Sequence, residues 1–100
     1  MSHSIHVSPA TIRCKADELK QMNCKYKKEI ETLRSREASL NGMWEGEAKN
    51  TFHRGFARDL VQMQNFYNAI EKYIHTLYQI AKEYEHAERR NICAARARSC

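Results

Sequence analysis

The sequence predicts an all-α fold: an antiparallel helix-turn-helix hairpin that dimerises into a four-helix bundle. Three observations predict it. Gly occurs three times and Pro once in 100 residues, too few for a β fold that turns every 8–12 residues or so. Apolar residues recur every seven positions in two long stretches. One short break, Asn41–Gly46, separates those stretches.

The first helix is expected over about residues 8–40. Ser8 is a good N-cap, since its hydroxyl can accept an otherwise unpaired amide hydrogen. Pro9 fits the first helical position, where no amide hydrogen is needed. Val7 and Ile12 sit where a hydrophobic staple would form. Ile12, Leu19, Tyr26, Leu33 and Leu40 then follow at seven-residue steps, with Ala16 and Ile30 on the same face. Asn41-Gly42 ends the run, Gly42 being able to take the left-handed conformation of a helix C-cap.

The second helix is expected over about residues 46–89. Ala48, Phe52, Phe56 and Leu60 open it. Three rows then run in parallel: Met63, Ile70, Leu77, Tyr84; Phe66, Tyr73, Ile80, Ala87; and Tyr67, Ile74, Ala81. Glu45 and Glu47 near its start, with Arg89 and Arg90 near its expected end, suit the helix dipole. Residues 91–100 read as a flexible basic tail.

A short connection between two long helices implies an antiparallel pair. Three apolar rows are more than one neighbouring helix can cover. One flank of the stripe therefore needs a second hairpin, and the seven-residue period favours a shallow left-handed crossing of about +20°. The residues expected to pack the hairpin and its dimer are Leu19, Tyr26, Ile30, Leu33, Leu40, Phe52, Phe56, Met63, Phe66, Ile70, Ile74 and Leu77.

Charge limits the function classes. The formal net charge is +5. Residues 1–88 hold thirteen Lys/Arg against twelve Asp/Glu, a net of +1, while Arg89, Arg90, Arg96 and Arg98 stand without an acid. A nucleic-acid binder carries its charge as a stripe on the folded surface, so no nucleic-acid partner is expected. No run approaches the roughly 20 apolar residues of a membrane span, and the polar start has no signal-peptide core. No stable membrane insertion is expected; a lytic role would require the dimer to open.

No cofactor, metal or catalytic site is expected. Cys14 and Cys24 are ten residues apart on one helix, about 15 Å at about 1.5 Å per residue, too far for a disulfide. With Cys93 and Cys100 they match no zinc spacing. His3 and His6 lie near the N-terminus, and His53, His75 and His86 are spread out. A Cys93–His86 pair has neither an orienting third group nor a substrate pocket.

The most unusual local feature is Trp44-Glu45-Gly46, which holds the only Trp. Trp44 offers a flat apolar face with one N–H donor. Gly46, without a Cβ, allows close approach of another chain. Near the end of the second helix stands Tyr84-Glu85-His86-Ala87-Glu88, a Y-x-x-x-D/E element. A hundred residues, two amphipathic helices, a central W-x-G and this element together resemble the WXG-100 (ESAT-6-like) family over roughly residues 5–90.

The resemblance implies a small protein exported without a cleaved signal peptide by a type VII secretion system. It implies synthesis in the cytoplasm of a Gram-positive-type bacterium, and pairing with itself or with a related helical hairpin protein. It also implies that Tyr84 and Glu88, with Trp44 and Gly46 of the partner, form the export signal read by the type VII secretion ATPase. In an antiparallel pair of hairpins the turn of one copy would approach the open end of the other. An alternative is a dedicated heterodimeric partner that escorts a larger exported toxin. The Arg- and Cys-containing tail is not part of the family pattern.

Overall fold

A computed structural model gives the fold; it describes residues 8–98, with side chains described for residues 8–90. Among the described residues there are two helices and no strand: α1, Pro9–Asn41, and α2, Glu47–Arg98. The hairpin reading and the two helix starts stand.

The α1 start is built as its sequence suggests. The Thr11 amide donates to Ser8 Oγ at 3.2 Å, and the Ile12 amide donates to the Ser8 carbonyl at 3.1 Å. The Ser8 hydroxyl thus satisfies one of the amide hydrogens that a helix N-terminus leaves without partners, and its carbonyl accepts the first bond of the helix. Val7 of the expected staple lies outside the described residues, as do His3 and His6.

Two expectations about helix ends are corrected. Gly46, rather than Gly42, takes a positive φ, of 114°. Gly42 instead extends the helical hydrogen bonding, its amide donating to the Ala38 carbonyl at 3.3 Å, and the Met43 amide then closes on Leu40 at 2.9 Å. The chain reverses further along, at the residue where a missing Cβ is needed. Second, α2 does not stop near residue 89; it continues to Arg98. Residues 90–98 contain Ala94, Ala95 and Ala97 among Arg residues and no Gly or Pro, a composition that favours helix. Arg89 and Arg90 therefore sit a few turns before the helix end rather than at it.

The chain forms two compact units, Gln21–Lys72 and a second drawn from residues up to Lys20 and from Tyr73 onward. In Gln21–Lys72 the helices pair antiparallel. Asn23 meets Tyr67 and Glu71, Tyr26 meets Phe66, and Glu37 meets His53. In the other unit Arg13 meets Glu85, and Tyr78 donates its hydroxyl hydrogen to Asp17.

The buried row of α1 is not the one that hydrophobicity selects. Pro9, Ala16, Asn23, Ile30 and Glu37 are buried at seven-residue steps. Ile12, Leu19 and Tyr26 are half-buried beside them, and Leu33 and Leu40 are exposed, at 42% and 48%. On α2 the buried residues are Ile74 and Ala81, continuing the half-buried Leu60 and Tyr67. Polar side chains hold two central places because they find partners. The Asn23 amide donates to the Tyr67 carbonyl and to Glu71 Oε1, both at 3.2 Å. Glu37 Oε1 lies 2.7 Å from His53 Nδ1. A buried polar group that is hydrogen-bonded avoids most of its desolvation cost.

Candidate functional site

Within Gln21–Lys72 the turn carries an aromatic ladder. Trp44 is half-buried and lies edge-on to Phe52, with ring centroids 6.1 Å apart and an interplanar angle of 63°. Phe52 in turn lies against Phe56 at 6.1 Å and 21°. These residues are brought together because Gly46 turns the chain into α2 just before it. A Cβ at Gly46 would meet nothing within 4 Å. The glycine is thus required by the backbone angle, and the surface above it is open. Trp44 therefore keeps part of its ring accessible beside the contact with Phe52.

The same unit exposes much of its apolar surface. Phe66 is 57% exposed although its ring is met edge-on by Tyr26 at 5.7 Å. Leu33, Leu40, Met43, Phe52 and Val61 are exposed as well. An open groove of about 330 Å³ is lined by Arg34, Ala57, Leu60, Val61, Gln64 and Asn65. Met63 and Ile70 are half-buried, and Ile30 is the largest fully buried side chain. So the expected packing residues divide into two groups. Ile30, Tyr26, Phe56, Met63 and Ile70 meet the hairpin's own interior at least in part, while Leu33, Leu40, Phe52 and Phe66 face outward in the single chain.

In the other unit Ile74 and Ala81 are buried and Leu77 is half-buried, as is Leu19. Tyr73, seven residues after Phe66, is 57% exposed. Tyr84 is 49% exposed and Glu88 is exposed. Four residues apart on one helix, they share a face. Tyr84 is therefore not fully absorbed into the core, although it continues the row from Met63 to Leu77.

Electrostatics in this unit centre on an ion pair absent from the sequence reading. Arg13 donates from Nε and Nη2 to the two oxygens of Glu85, at 3.4 and 2.5 Å. Those hydrogen bonds from Arg13 hold the Glu85 carboxyl below the usual carboxylate range, with Arg89 and His86 adding to the effect. Asp17, accepting the Tyr78 hydroxyl hydrogen, holds that phenol up; within Gln21–Lys72, Glu71 does the same for Tyr67. The signal for these pairs was present as charge at seam-flanking positions, but the rotation of α1 had to be known to use it.

No group of three or more His, Cys, Asp or Glu among the described residues could hold a metal ion. Cys14 and Cys24 are free and exposed; Cys93 and Cys100 lie outside the described side chains. No helix among the described residues is long and apolar enough to cross a membrane.

This arrangement holds uncovered aromatic and aliphatic faces, an exposed Tyr-Glu pair and open grooves. A family model described as proteins of 100 residues with WXG matches residues 4–89. No curated protein and no solved structure shows significant similarity to the chain.

Proposed function

The chain belongs to the WXG100 (ESAT-6-like) family, small helical secreted proteins linked to type VII secretion, and from that membership we propose that it is a secretion substrate that acts by pairing with a second copy of itself. It carries out no catalysis; its work is protein–protein interaction.

The observation that carries this reading is the outward apolar row. Phe66 and Tyr73 stand seven residues apart on α2, each more than half exposed. Leu33 and Leu40 stand seven apart on α1, also exposed. A heptad-spaced row is the pattern by which helices pack side by side. Scattered exposed apolar residues are ordinary, but large ones exposed at seven-residue spacing on both helices support an interaction surface.

Pairing also supports a mechanism for recognition. Tyr84 and Glu88 present a ring and a carboxylate on one helix face. Trp44, half-buried in the single chain, stands at the turn just before Gly46. Brought together from two copies, they form a composite patch that a lone chain lacks, and this patch is what the secretion ATPase reads. Dimerisation then gates export, because an unpaired chain shows only half of the signal.

The solution mass by light scattering under reducing conditions tests the pairing. The expected value is twice 11.8 kDa. A monomer that becomes stable only with a second helical chain would replace this reading with that of a heterodimeric escort for a larger exported toxin.

A further inference from the structure

A second surface is distinct from the apolar row and from the Tyr84–Glu88 face. Arg13 on α1 and Lys82, Glu85, His86 and Arg89 on α2 line a cleft of about 460 Å³. Lys82, His86 and Arg89 are spaced four and three residues apart, so successive turns aim them at one side of α2. Arg13 closes the cleft from α1.

The charge of this cleft is positive. Arg13, Lys82 and Arg89 bring three positive charges and Glu85 one negative, a net of +2 with His86 neutral. Glu85 does not repel an incoming anion strongly, because both of its oxygens receive hydrogen bonds from Arg13. Neither Lys82 nor Arg89 has an ion pair of its own among the described residues.

We propose that the cleft of Arg13, Lys82, His86 and Arg89 binds a phosphate-class oxyanion. The lining favours such a ligand over an acidic protein segment. All five residues carry a charged or titratable side chain, and none supplies the apolar anchor that stable protein docking uses. A volume of about 460 Å³ suits a small ligand. Arg and Lys side by side supply a planar fork and a point charge, the two devices that hold phosphate oxygens. The same chemistry serves a free phosphate ester or a phosphate-bearing lipid headgroup.

The first experiment titrates the isotope-labelled protein with sodium sulfate and with sodium pyrophosphate at constant ionic strength, following backbone amide resonances. The expected result is saturable shifts centred on Arg13 and on residues 82–89. Both Lys82 and Arg89 are exposed, so Lys82→Ala/Arg89→Ala should keep its helical circular dichroism. Binding in that variant should weaken by about a hundredfold, the effect of losing two charge-assisted hydrogen bonds at about tenfold each.

A second arm separates the sources. Cosedimentation with phosphatidylglycerol vesicles, lost in the double variant and absent with phosphatidylcholine, would assign the anion to a lipid headgroup. Sulfate shifts without cosedimentation would assign it to a free anion. Shifts that merely follow ionic strength, or that persist unchanged in the double variant, would overturn the proposal.

Discussion

Phe66→Ala is the most direct test of the outward row. A Phe residue buries about 150–250 Å² in a packed environment. Phe66 is 57% exposed in the single chain, which leaves about 110 Å² for a partner to cover. At about 25 cal/mol per Å² this is worth nearly 3 kcal/mol if fully covered, and about 2 kcal/mol once the retained Cβ and partial coverage are allowed for. A twofold interface uses the same residue from each copy, so a dimer loses about 4 kcal/mol. That corresponds to about a thousandfold rise in Kd.

The assay is sedimentation velocity over a concentration series under reducing conditions. A thermal melt at the lowest concentration runs alongside it, because Phe66 also touches Tyr26 within the chain. An aromatic pair contributes about 0.5–1.5 kcal/mol beyond its area, and the part of Phe66 already buried in the single chain adds about 1–2 kcal/mol at about 25 cal/mol per Å², so the monomer should lose about 2–3 kcal/mol and remain helical. A variant that still dimerises within threefold of the parent would refute the assignment of this row to the interface. Tyr73→Ala, equally exposed, should behave in the same way.

Three further outcomes are expected. Gly46→Ala should cost about 1–3 kcal/mol in denaturant unfolding, since φ is 114° and nothing lies within 4 Å to add a clash; an unchanged midpoint would contradict the backbone account of the turn. Glu85 has a folded-state pKa below its ordinary value of 4.5, so its contribution to stability is full above that value and is lost as pH falls through the folded value; Glu85→Gln should flatten the acid limb of a stability–pH curve, and parallel curves would show that the Arg13 pairing does not act on folding. Tyr84→Ala and Glu88→Ala should abolish export from a host with a type VII system while leaving the solution mass unchanged; export at the parental level would remove these two residues from the signal.

The helices and the turn were legible because their signals are local. Ser8-Pro9 writes a helix start, and the seven-residue spacing writes two long helices. Trp44, Gly46, Tyr84 and Glu88 were legible as motifs. The rotation of α1 about its own axis was not. Rows beginning at Pro9 and at Ile12 are only three residues apart, and both face the partner helix to some degree. Apolar counting favours the row of Ile12 and Leu40 over one containing Asn23 and Glu37. Only tertiary partners, the Tyr67 carbonyl with Glu71 and His53, make the polar row the better interior. The end of α2 was missed for a related reason: basic, alanine-rich sequence suits either a solvated tail or a helix, and no Gly or Pro marks a stop.

Asn23 has a consequence for how the chain finds its fold. A heptad pattern nearly repeats itself when one helix slides by seven residues past its neighbour, so apolar burial alone leaves several alignments close in energy. A polar residue at such a seam position breaks that degeneracy at some cost in stability. In a slipped pairing the Asn23 carboxamide would no longer meet Glu71, and would lie dehydrated without its acceptor. During synthesis α1 is complete before α2 leaves the ribosome, and α2 must then choose among the alternatives. The observed alignment is the one in which the Asn23 carboxamide meets both the Tyr67 carbonyl and Glu71.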